Sequence, residues 1–63
     1  MLNAEQKSLL KLFDLSSREA AITDIVVKLP FIKYPEMAGQ CQIIVKKFTK
    51  MSDFEFGLLK KRL

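Results

Sequence analysis

Apolar residues recur along this chain at spacings of three and four, and polar or turn-forming residues interrupt them in three places, which divides the sequence into four amphipathic segments. Helix-start signatures stand at the head of three of them: Asn3 with Gln6, Ser16 with Glu19, and Ser52 with Glu55. In each pair the first side chain can accept from an amide three residues on, while the later Glu or Gln reaches back to the first residue's own amide. Pro35 supplies a fourth start, because its missing amide costs nothing at the first helical position, and Glu36 beside it complements the helix dipole. The pattern predicts an all-α fold, a small bundle of three to four short helices forming a single helical domain over residues 1–63.

The first helix is expected from Ala4 to Leu15, with Leu2, Leu9, Leu12 and Phe13 in one arc and Leu10 at its margin. The second should start from a Ser16 or Ser17 cap and end by Leu29, because Pro30 removes its predecessor from the helical region. Ile22, Ile25, Val26 and Leu29 form its buried stripe, with Ala20 and Val27 on the far side. Phe31-Ile32-Lys33-Tyr34 is too hydrophobic for a solvated linker, so Phe31 or Ile32 is expected to plug the end of the core.

A third helix from Pro35 to Met51 carries the most regular stripe: Met37, Cys41, Ile44, Val45, Phe48 and Met51. Opposite stand Lys46, Lys47 and Lys50, with Ile43 among them as an apolar residue in a basic face. The fourth segment, Asp53 to Leu63, has Phe54 and Leu58 on one side and Phe56, Leu59 and Leu63 on the other. So short a helix cannot bury both sides in so small a domain. The second set is therefore expected to find cover on a neighbouring molecule.

Composition narrows the chemistry. A chain of 63 residues buries only about 60% of the surface that its unfolded form exposes, and such scaffolds lean on disulfides, metals or partners. Cys41 is the sole cysteine and there is no histidine, which removes an internal disulfide and a Cys/His zinc site and leaves good packing, a partner, or both. A hydrophobic fraction of 49% is enough for a core. No signal peptide or membrane span is expected, and with the lone thiol this points to a reducing cytoplasm.

Net charge is +4, and all of the excess falls in residues 33–63, where seven cations face three carboxylates. Such a half attracts nucleic acid, an anionic surface or an acidic protein. A helix-turn-helix wants a short turn and a polar recognition helix, whereas the connection here is long, contains Pro30 and Pro35, and leads into an acidic start with only Gln40 and Gln42 nearby. Gly39 and Gly57 stand alone within helical segments, so there is no glycine-rich phosphate loop, and Gly39 is read as permitting close approach of a neighbouring helix. Cys41 lies on a core stripe without a base to activate it, and most carboxylates sit at helix starts, where capping explains them. No enzyme, cofactor or metal is expected. The residues point to a small regulatory or adaptor protein that binds other proteins and self-associates through its last helix. Ile43, Phe56, Leu59 and Leu63 would be its apolar anchors, with Lys46, Lys47 and Lys50 steering an acidic partner. The alternative is a nucleic-acid-binding regulator using the basic half.

Overall fold

Helices start where the local chemistry favours them. Asn3 Oδ1 accepts the Gln6 amide at 2.8 Å and Gln6 Oε1 accepts the Asn3 amide at 3.2 Å, closing a reciprocal cap. Ser52 and Glu55 repeat the arrangement at 3.1 and 2.9 Å. The computed structural model, which describes residues 2–63, places α1 at Ala4–Leu10, α2 at Arg18–Lys28, a 3₁₀ turn at Leu29–Phe31, α3 at Pro35–Lys50 and α4 at Asp53–Lys61. This is an all-α bundle with no strand among the described residues.

Two boundaries differ from the sequence expectation. α1 stops at Leu10 because the next amides turn back over three residues, Leu12 to the Leu9 carbonyl and Phe13 to that of Leu10. Asp14 then holds the loop: its Oδ1 accepts the Ser16 amide at 2.9 Å, and its own amide donates to Asp24 Oδ2 at 2.8 Å. Such short polar side chains offer the backbone an alternative to the helical ladder. Leu10 is consequently sealed in the core while Leu12 points to solvent. With the Ser16 amide taken by Asp14, the cap of α2 is Ser17, whose Oγ accepts from Ala20, and the expected Ser16–Glu19 box is not made.

One apolar cluster receives side chains from all four helices: Leu10 from α1, Ala21 and Ile25 from α2, Cys41, Ile44 and Phe48 from α3, and Phe56 from α4, with Leu2 below α1. The expected α3 stripe is intact, Met37, Val45 and Met51 flanking its three buried members. On α2, Ala21 takes the inward position expected of Val26, which lies exposed. At the far end Ile32 packs on the core, so the plug is Ile32, and Phe31 stands outside.

α4 reverses its expected orientation. Phe56 is only 5% exposed and meets Phe48 edge-on, ring centroids 5.2 Å apart at 86°. Leu59 packs beside it, whereas Phe54 and Leu58 face solvent. Phe56 is thus corrected from a partner anchor to a core residue. Contacts from outside α4 accompany this orientation. Arg18 Nε reaches Asp53 Oδ1 at 2.8 Å and its Nη1 donates to the Phe48 carbonyl at 3.0 Å, so the α3–α4 joint is fastened to the start of α2. These contacts go with the inward turn of the Phe56 side, which the burial of that ring edge-on against Phe48 stabilises.

Gly39 is not a close-approach site, since a Cβ built there, or at Gly57, would meet nothing within 4 Å, and neither glycine has a positive φ. Both are simply weak helix formers. Gly57→Ala is expected to stabilise the fold by about 0.5–1 kcal/mol, read from thermal or urea unfolding. A loss of stability would show that the glycine has a conformational role.

Candidate functional site

Folding α4 inward leaves a furrow between it, the end of α3 and α1. One hollow, about 290 Å³, is lined by Leu2, Lys47, Lys50, Met51, Glu55 and Leu59. A second, about 310 Å³, is lined by Lys7, Met51, Glu55, Leu58, Leu59 and Arg62. The two share Met51, Glu55 and Leu59, so they form one surface with an apolar floor and four cations at the rim.

The rim is fixed by polar contacts beneath it. Gln6 is almost wholly buried, its Nε2 donating to Gln40 Oε1 at 2.8 Å and its Oε1 accepting from Lys47 Nζ at 3.2 Å, which ties α1 to two successive regions of α3. Lys7, Lys50 and Arg62 make no ion pair among the described residues. Glu55 is the one carboxylate in the furrow. Hydrogen bonds from the backbone and side chain of Ser52 hold it below the usual carboxylate range, so it stays ionised as a cap, one negative charge beside four cations.

Groups capable of chemistry elsewhere are occupied structurally. Burial pushes the Cys41 thiol above its ordinary value, which disfavours the nucleophilic thiolate. Asp14 is held low chiefly by the Ser16 backbone and side-chain hydrogen bonds, with Lys60 and Lys28 adding positive charge nearby. Asp24 accepts from the Asp14 amide and pairs with Lys28 at 3.2 Å. Among the described residues no three Cys, Asp or Glu side chains gather as a metal site, and no helix is long and apolar enough to cross a membrane.

Of the residues singled out in the sequence, Lys47, Lys50 and Leu59 come together in the furrow. Ile43, 42% exposed, and Lys46 share the outer side of α3 but lie outside both hollows. Leu63 sits beyond the end of α4 and Phe56 is in the core. Sequence reasoning missed Leu2, Met51, Leu58, Lys7 and Arg62. Leu2 and Met51 read as core. The only available signal was the two-sidedness of α4, which forces one of its faces to make a surface. Compared with family models, curated proteins and solved structures, the chain finds no match, so its reading rests on its own residues.

Proposed function

We propose that the chain is a small non-enzymatic regulatory or adaptor protein of the cytoplasm that self-associates through α4 and docks an acidic protein segment on its basic furrow. The observation that carries this reading is the furrow itself: an apolar floor of Leu2, Met51 and Leu59 beside Lys47 and Lys50, facing one carboxylate already engaged in a cap. An acidic segment with apolar anchors satisfies both features, the charges steering encounter and the anchors slowing release. Phosphate tracking needs the cations but has no use for the floor. The buried thiol, the absence of histidine and the structural duties of Asp14 and Asp24 favour binding over catalysis.

Selection of a displayed library of random peptides on the whole protein tests this. Enriched peptides should combine acidic residues with Leu, Ile or Phe, and Lys47→Glu with Lys50→Glu should weaken them by about tenfold or more while helicity is retained. Absence of any enrichment overturns the reading. So does tight duplex binding with a log–log salt slope near −4 to −5 that vanishes when Lys46, Lys47 and Lys50 become Glu, an outcome that would assign the basic half to nucleic acid.

A further inference from the structure

α4 carries opposite charges at its two ends. Asp53 and Glu55 stand in its first turn, and Lys60, Lys61 and Arg62 close it. Between them Phe54, 75% exposed, and Leu58, 46% exposed, lie four residues apart on the outward face. The hollow lined by Lys7, Met51, Glu55, Leu58, Leu59 and Arg62 runs along the helix past Leu58 to Arg62. An apolar ring therefore projects near the acidic end of this helix, and the hollow, with Lys7 and Arg62 at its rim, continues to the basic end.

From this self-complementarity we infer that the hollow is filled by a second copy of the chain: two α4 helices pair antiparallel about a two-fold axis at Leu58, each Phe54 entering the hollow of the other copy. A two-fold interface needs a surface that complements itself, and charge selects the direction. Antiparallel pairing sets each acidic start against a basic end. Parallel pairing would set carboxylate on carboxylate and lysine on lysine. In the antiparallel register Phe54 lies across from Arg62 of the other copy, where the guanidinium can also sit over the ring. Leu58 meets its own symmetry mate. Few side chains take part, so the dimer is weak, of micromolar stability, and loosens as salt screens its ends.

This deepens the self-association in the proposed function and leaves the Leu2–Lys47–Lys50 hollow to the acidic partner. Sedimentation of the whole chain over a concentration series should show a monomer–dimer equilibrium that Phe54→Asp shifts by at least about tenfold toward monomer with unchanged helicity. Leu58→Cys should crosslink to itself under mild oxidation, and a mixture of Phe54→Cys and Arg62→Cys chains should crosslink to each other faster than either does alone. Val26→Cys, exposed on α2, is the control and should not crosslink. A monomer at every concentration, a dimer indifferent to Phe54→Asp, or preferential self-crosslinking through Phe54→Cys overturns the antiparallel pair. The two proposals fail separately. A strict monomer that still enriches acidic peptides at Lys47 and Lys50 removes only the pairing, and a dimer with the expected crosslinks that enriches none removes only the partner.

Discussion

Phe48→Ala should leave little of the protein folded at 25 °C. Removing a buried Phe costs about 3–5 kcal/mol, and a chain of this length at about 0.05–0.15 kcal/mol per residue has roughly 3–9 kcal/mol to lose. Phe48 sits at the upper end of that cost. It is fully buried, lies at the meeting point of α3 and α4, and supplies the ring against which Phe56 packs edge-on, a pair worth about 0.5–1.5 kcal/mol beyond the area it buries. Urea titration followed by circular dichroism measures the loss. Phe54→Ala is the matched control, since that ring is exposed and its removal should change the stability of the monomer by no more than about 0.5 kcal/mol. Equal effects at the two positions would contradict the inward roll of α4.

The second large effect belongs to a polar residue. Gln6→Leu keeps the volume of the side chain but removes the acceptor for Lys47 Nζ and the donor to Gln40 Oε1, along with the return bond to the Asn3 amide. Leaving part-buried polar groups without partners costs about 1–3 kcal/mol. Adding Gln40→Leu should recover a good part of that loss, because replacing both partners with apolar groups removes the orphaned amide. A double-mutant cycle isolates the coupling. Strict additivity would mean that the Gln6–Gln40 contact contributes nothing of its own.

These two residues illustrate what can and cannot be read in advance. Phe48 was legible because α3 is one uninterrupted helix, and an angle of about 100° per residue places Met37 through Met51 on one line with no outside information. The caps at Asn3 and Ser52 were equally legible, their partners being three residues away. Gln6 was seen only as half of a cap. Its second role needs Gln40 and Lys47, more than thirty residues distant, to arrive at the same place. The end of α1 was misplaced for a related reason: apolar periodicity continues through Phe13, but the local bonds of Asp14 outcompete it. Nor could the direction of α4 be decided from its own residues, whose two apolar faces are nearly balanced. The packing of Phe56 on Phe48 and the Arg18 contacts, thirty and thirty-five positions apart in sequence, go with the face that turns in. The furrow inherits that dependence, because its lysines were visible as charge while its floor exists only once α4 has turned.

The Arg18 contacts have a consequence for how the molecule comes apart. A single guanidinium holds the carbonyl of Phe48 and the carboxylate of Asp53, on either side of the bend at Met51 and Ser52. These two contacts steady the joint between α3 and α4 while they hold. Departure of α4 would take Phe56 out of the interior and dismantle the basic furrow in the same stroke. The furrow exists only while this nine-residue helix is docked, so a ligand that filled it would also fasten the helix down.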